Sequence, residues 1–375
     1  MSEYMPQYKV LTPSDNTLVY VLDGSYTTIA VIDMYESLIW TERYLEAGDF
    51  ELYVPLTMKD LDKITIGSYL AIEDSDRLMI VEKFQQETDV EDGDKMTITG
   101  RTLESILDRR VIWNYTVLNG EFQNGIKRLI DENVISPAES GRQIPGFSFV
   151  TSSDSAITSK TLDTQYLGEN LYDSIVELCT EKDIGWKVLP NGAGGFQFSL
   201  YPGVNYAYDQ SARPYVVFSP GYDNLIGSKY VYSLGDYKTV ARVGGEGDGY
   251  DKRLGSAAVS AGEGSGLSRR EMYVNSGVSG KDEDGEELSE SEYQAALTQK
   301  GLEALADTDI DEAFEAEIDA SRQFIYDEHF SLGDIVQVED KIGLSRKVRI
   351  SEIMRSWDTN GLTMTPTFTT LEETE

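Results

Sequence analysis

Seven short runs of alternating, β-branched or aromatic residues crowd into residues 18–100: LVYVLD, TIAVID, YESLIWTE, FELYVP, SYLAIED, RLMIVEKF and KMTIT. Asp-Gly, Ala-Gly-Asp and Asp-Gly-Asp turns part them. Phe50, Leu52 and Val54 share one side of such a run and Glu51 and Tyr53 the other, which is the period of a half-buried antiparallel strand. So many strands at this spacing predict a small barrel or sandwich, and the 23 Tyr, 12 Phe and 4 Trp favour sheet over helix bundle.

The pattern then changes. Thr102 is read as the N-cap of a helix with Leu103, Ile106 and Leu107 on one stripe. Phe122, Ile126, Leu129 and Ile130 have helical spacing, as do Leu171, Ile175, Leu178 and Cys179, with a stop near Gly185 ahead of the strand signal WKVLP. Cys179 on that stripe reads as a packed small hydrophobe. Strand signals return at YVVFS, SKYVYS and KTVARVGG, and Gly244 to Gly285 reads as a long loop or flexible insertion. Ser289 and Glu292 form a capping box for a helix over 289–306 carrying Tyr293, Leu297, Leu302 and Leu305. FEAEID, DIVQVED, KVRISEIM and LTMTPTF close the chain as strands.

The C-terminal strands echo the first ones. ITIGSYLAIED (64–74) aligns with FSLGDIVQVED (330–340) at an offset of 266, bringing Gly67 onto Gly333. Ile80 and Glu82 then meet Ile350 and Glu352 at an offset of 270, and MTITG (96–100) meets LTMTP (362–366) at 266 again, after Asp92-Gly93 and Asn360-Gly361 turns. Three strands in one order predict two related β-domains, although Gly-turn-strand patterns are common in β proteins. The fold class expected is α+β, mainly β, with two related tube-like β-barrel domains. The division is residues 1–110 (N-terminal β-barrel-like domain), 111–215 (α+β middle domain), 216–243 plus 314–375 (second β-barrel-like domain) and 244–313 (Gly- and acid-rich loop and helix insertion).

Composition narrows the function by exclusion. A formal charge of −34 repels phosphate backbones and anionic membrane faces, and it favours solubility. One cysteine permits no intrachain disulfide, and neither a signal sequence nor a membrane span is read in the chain, so no membrane insertion is expected. His329, the single histidine, reads as a turn residue, and it excludes His-rich metal sites. GGEGDG (244–249) and GEGSG (262–266) miss the phosphate-loop spacings. DTDIDE (307–312) and KDEDGEE (281–287) miss the calcium-loop pattern, with Glu312 and Ile318 where Gly and Glu are required. With 66 acids, no glycosidase-type carboxylate pair can be nominated. The expectation is no enzyme: no catalytic, cofactor-binding or metal residues, and no cofactor.

VIDMYESLIWTERYLEAGDFELYVP (31–55), GSYLAIEDSDRLMIVEKFQQETD (67–89), TITGRTLESILDRRVI (97–112) and the closing FSLGDIVQVEDKIGLSRKVRISEIMRSWDTNGLTMTPTF together resemble the baseplate hub, or tail-associated, proteins of siphophages. That family is similar in fold to the central hub of contractile tails. Trp40, Glu46, Gly48 and Phe50 match its W-x5-E-x-G-x-F pattern; the match weakens over 113–215 and 250–290. The resemblance implies a homotrimer whose two tube-like domains per chain make a pseudo-sixfold ring, joining a sixfold tail tube to a threefold tip. It further implies a virion component of the phage tail tip, made in the host cytoplasm. The partners implied are the distal tail protein, the tape measure protein, and a tip fibre or receptor-binding protein, with DNA passing through the channel without specific binding. Residues 281–319, with 15 acids and 2 bases, would then line that channel or form an outward solvated face. Many relatives carry a fibre or wall-degrading extension; with the sequence closing soon after its last strand, such activity is expected on another protein. Two alternatives stand beside the hub: a tail-tip hydrolase using an Asp/Glu pair on cell-wall polysaccharide or peptide, and an acidic carbohydrate-binding module.

Overall fold

The computed structural model describes residues 17–89, 93–192, 194–259, 264–281, 287–306, 308, 311–318, 324–339, 341, 345–359 and 361–371. They fall into two compact units, one within Met1–Lys229 and Phe314–Glu375, the other within Tyr230–Ala313. All seven N-terminal strand signals form strands: β1 (Val19–Leu22), β2 (Thr28–Ile32), β3 (Ser37–Arg43), β4 (Asp49–Pro55), β5 (Tyr69–Ile72), β6 (Met79–Asp89) and β7 (Gly93–Thr102). They lie in the order β3-β4-β7-β6-β5-β1-β2, every neighbouring pair antiparallel. Burial along β4 alternates as its sequence does, with Phe50, Leu52 and Val54 inward. They join Trp40, Leu70, Ile72, Met79, Val81 and Ile98 in one core. The opposite face of the same sheet is also covered: Ala71 and Ile80 belong to a second cluster with the middle of the chain.

Leu103–Arg109 form a tight 3-10 helix in which Leu103, Ile106 and Leu107 are buried as expected. Thr102 does not cap it. Its hydroxyl instead accepts a hydrogen bond from the Gly48 N–H at 2.9 Å, because a long-range backbone donor reaches it across the β4–β7 pair.

The middle segment supplies β8 (Thr116–Glu121), α1 (Phe122–Ile130), β9 (Phe147–Val150), the single turn α2 (Ser155–Thr158), β10 (Thr161–Tyr166), α3 (Leu171–Lys182), β11 (Gly185–Pro190) and β12 (Phe196–Tyr201). β8 pairs with β10, and β9-β12-β11 make a three-stranded sheet. Both helical stripes read from the sequence are buried in one cluster with Trp186 and Phe198. Asn170 caps α3 by accepting from the Tyr172 and Asp173 N–H groups, and Asp183, at φ 53°, ends it two residues before Gly185. Cys179 is fully buried, and burial alone pushes its thiol far above the ordinary range, so it is inert packing.

β13 (Val217–Phe218) and β14 (Leu225–Ser233) follow. The second unit then comprises β15 (Val240–Gly244), β16 (Leu254–Ala258), β17 (Glu271–Asn275) and α4 (Glu290–Ala306), with β15 between the other two strands. The sequence reading of 244–285 as a loop is corrected here by two strands, and the reason is packing. A Cβ on Gly255 would lie 2.6 Å from the Cβ of Leu297, and one on Gly301 would lie 2.6 Å from that of Ala257, so the glycines let α4 lie close on the sheet. The capping box is present: Ser289 Oγ accepts from the Glu292 N–H at 3.3 Å, and Glu292 accepts from the Ser289 N–H at 3.0 Å. Tyr293, Leu297 and Leu305 are buried, whereas Leu302 is exposed. Both calcium-loop candidates and GEGSG lie partly outside the described residues, as do the acids of 281–319.

β18 (Asp311–Ile318), β19 (Ile335–Glu339), β20 (Ser345–Asp358) and β21 (Gly361–Thr370) complete the chain. Their order, β14-β18-β21-β20 with β19 and then β13 beyond β20, continues the first sheet through a β20–β3 pairing.

Candidate assembly interface

Two modules repeat in this sheet. In the first, Gly67 (φ 86°) closes a turn in which Ser68 N–H reaches Thr65 O at 2.9 Å, and Gly67 N–H reaches Val81 O at 2.8 Å. In the second, Gly333 (φ 93°) does the same, with Asp334 N–H to Ser331 O at 3.1 Å and Gly333 N–H to Ile350 O at 2.8 Å. A positive φ at the third turn position requires glycine, which is why this residue stands in both copies. A bulge follows each, between Val81 and Lys83 and between Ile350 and Glu352.

These bonds correct the register read from the sequence. Val81, not Ile80, is the counterpart of Ile350, an offset of 269, and Thr99 and Gly100 are the counterparts of Thr367 and Phe368, an offset of 268. The first error is the serious one, since a slip of one residue exchanges the two faces of a strand. Ile80 faces the middle segment, whereas Val81 and Ile350 each face their own module's core.

The repeat extends to strands the sequence reading left unmatched. β14 takes the place of β3 and β18 that of β4 in the strand order. Tyr35-Glu36-Ser37-Leu38-Ile39 matches Tyr222-Asp223-Asn224-Leu225-Ile226 at an offset of 187, and Leu38 and Leu225 each lie in a module core. Where β3 reaches β4 through Tyr44–Gly48, β14 reaches β18 only after the second unit. That insertion hid the correspondence from a constant-offset search.

The modules join along β3 and β20, with Arg43 opposite Glu352, Trp40 opposite Arg355 and Leu38 opposite Trp357. Each lends an aromatic to the other: Trp357 is fully buried in the first module's core, and Tyr44 in the second's. Arg355, fully buried, pairs with the buried Glu42 and donates to Asp74 O at 2.5 Å. Glu42 also accepts from Ser75 Oγ at 2.6 Å and Trp40 Nε1 at 3.1 Å, so its carboxylate is held by three donors. Arg43 bridges Glu352 at 2.6 Å and Asp49 at 2.5 Å. Arg349 donates to Gly333 O at 2.5 Å, pairs with Asp183, and sits 4.9 Å over the Tyr44 ring. Of the family pattern, Trp40 and Phe50 face each other across β3 and β4 in the core, and Gly48 admits the Thr41 carbonyl 2.1 Å from where a Cβ would stand.

Beside this seam lies a cavity of about 500 Å³, lined among others by Glu42, Asp76, Arg77, Lys187, Asp327 and Arg355. Burial raises the Asp76 carboxyl, but Lys187 and Arg77 outweigh it and hold the group below the usual range. Asp327, in a left-handed turn at φ 61°, is pushed up to about 6 by burial and then by the Glu42 charge. The turn keeps solvent contact, which limits the free energy tied to that shift. Arg77 pairs with the buried Glu104, whose other contact is the Val188 N–H at 3.2 Å. His329 is a turn residue, its Nδ1 accepting from the Ile325 N–H at 3.0 Å. Among the described residues no cluster of three or more His, Cys, Asp or Glu could hold a metal, and no helix is long and apolar enough to cross a membrane.

The family model for Siphovirus ReqiPepy6 Gp37-like proteins matches residues 18–369. No curated protein sequence matches the chain. Among solved structures, the 43 kDa tail protein of prophage MuSo2 from Shewanella oneidensis is similar in fold, with a TM-score of 0.57 at 14% identity, over 95% of this chain and 98% of that one. So is the tail protein from Neisseria meningitidis MC58, with a TM-score of 0.55 at 12% identity, over 94% and 96%. A chain of the lidless PdpA–VgrG complex matches with a TM-score of 0.50 at 9% identity, over 96% of this chain and 66% of its own. The chain belongs to the Siphovirus ReqiPepy6 Gp37-like family and is a phage tail protein of the siphovirus type.

Proposed function

We propose that this tail protein is the structural hub of a tail tip, a homotrimer in which the two β-modules of each chain alternate around a pseudo-sixfold ring. Residues 1–110 and 216–243 with 314–375 are the ring modules in this reading, 111–215 a middle domain and 244–313 an insertion. One observation carries it: two modules of the same strand order, turn and bulge are joined edge to edge inside one chain. A chain that repeats its own tube wall matches a sixfold tube with three copies. The distal tail protein and tape measure protein would meet this ring, and a tip fibre or receptor-binding protein would lie below it. DNA would pass through unbound, since the net charge of −34 offers few cations for counterion release. The role is architectural and not catalytic: the carboxylate of Glu42 is spent on an ion pair at the seam. Native mass spectrometry of the full chain tests the ring, a trimer being expected. A monomer across the micromolar range would overturn it.

A further inference from the structure

β20 serves two neighbours on one side. Residues 345–349 pair with β19, and beyond the bulge residues 352–357 pair with β3. β6 serves β5 in the same manner, with Tyr69 opposite Ile80 and Leu70 opposite Met79. Its continuation, residues 83–88, pairs only with β7; among the described residues no strand lies on its other side. By the 269 offset this open stretch is the counterpart of the part of β20 that holds β3. At the far end of the same sheet, β14, the counterpart of β3, has β18 as its one neighbouring strand among the described residues. The molecule thus carries both halves of a junction it has already made once.

Backbone direction fits. Tyr44 N–H donates to Ser351 O at 2.9 Å on the β3 side of β20, and alternation makes residues 353, 355 and 357 face β3 as well. Their counterparts Phe84, Gln86 and Thr88 present their backbone groups to the open side. Side chains fit too. Arg355 and Trp357 are replaced by Gln86 and Thr88, so this edge buries no cation and trades no aromatic, unlike the seam inside the chain. Gln86 and Thr88 are exposed, and Gly227 has open space where a Cβ would stand.

We propose that residues 84–88 of β6 pair antiparallel with residues 225–229 of β14 in a second copy of this chain, Gln86 lying opposite Gly227 as Arg355 lies opposite Trp40. The inference rests on the ring reading and names the strands that close the ring. It is a heterologous contact, different edges of one chain meeting, and so it propagates until the ring closes.

Two variants of the full chain test it. Gln86→Pro removes an outward N–H and leaves the β7 ladder intact, a placement that edge strands tolerate. The expected result is a folded monomer, with unchanged circular dichroism, where the wild type is trimeric. Gln86→Cys with Gly227→Cys should give a disulfide-linked trimer on mild oxidation, since directly opposed Cα atoms lie about 5.5 Å apart. A trimer that survives Gln86→Pro, or that yields no cross-link from the cysteine pair, overturns this junction and leaves the ring standing. Linked dimers from Gln86→Cys alone would mean that β6 pairs with itself, and would overturn it as well. A wild-type chain that never assembles removes the ring reading itself. Should the proline variant fail to fold, the cysteine pair still decides.

Discussion

Arg355 and Glu42 sit 313 residues apart in the chain yet share one buried hydrogen-bond network. Nothing local in either residue marks this, and no sequence pattern could have found it. Glu42→Gln leaves Arg355 charged and buried without its counterion, an expected loss of about 3–5 kcal/mol in denaturant unfolding. Two glycines invite a sharper comparison. Gly67 and Gly333 share one positive-φ turn, but a Cβ on Gly67 meets nothing, whereas one on Gly333 lies 2.3 Å from the Tyr44 ring. Gly67→Ala should cost about 1–2 kcal/mol from backbone strain alone, and Gly333→Ala distinctly more; equal losses would contradict the close packing at Tyr44. Asp327 gives a pH signature. Its carboxyl titrates near 6 when folded, above its ordinary 3.8, so the folded state holds the proton more tightly. Stability is therefore lost as pH rises from about 4 to 6 and stays lost above that. Asp327→Asn removes the penalty and suits the left-handed turn. It should raise Tm at pH 7.5 by about 1–2 °C, with the gain vanishing by pH 4; a gain unchanged at pH 4 would assign the effect elsewhere.

Strands were the most legible elements, because alternation is a direct record of a sheet with one face inward. All seven in the first module are visible in the sequence, as are α3 and the capping box of α4. Glycine and serine around Gly255 imitate a loop, although the glycine is there to let a helix approach. The echo is sound in topology but one residue out on β6, since the chain from Ile335 to its partner Arg349 is three residues longer than from Tyr69 to its partner Ile80, and an alignment cannot see where such an insertion ends. The open side of β6 leaves no mark in the sequence, because it is defined by the absence of a neighbouring strand among the described residues. At this scale, Ser289→Ala should destabilise α4 by about 0.5–2 kcal/mol, read as faster amide exchange over 290–293. Unaltered exchange would mean that Glu292 alone holds the helix start.

For the whole molecule, the matched positions of Tyr44–Gly48 and the second unit make a concrete test. A chain in which residues 234–310 are replaced by a short glycine-containing turn should still fold its remaining β-sheet and unfold cooperatively, as insertions at turn positions usually allow. Collapse of the far-ultraviolet strand signal in that variant would show that β14 and β18 need more than a connection. The sequence disclosed the repeat and, through its resemblance, the class of protein. It also disclosed an insertion at 244–313 within the second copy, but not that β14 and β18 on either side of it repeat β3 and β4, since a fixed offset cannot span an insertion.

Trp357, lodged in the core built mainly from residues 19–98, also sets a clock. The ribosome makes Leu38 roughly 15–60 s before it makes the tryptophan that lies opposite, at about 5–20 residues per second. Until then the first module has a vacancy the size of an indole at its centre. Fragments cut short upstream of that residue would therefore stay unfinished and available to proteases, and only chains translated through it would reach a growing tail.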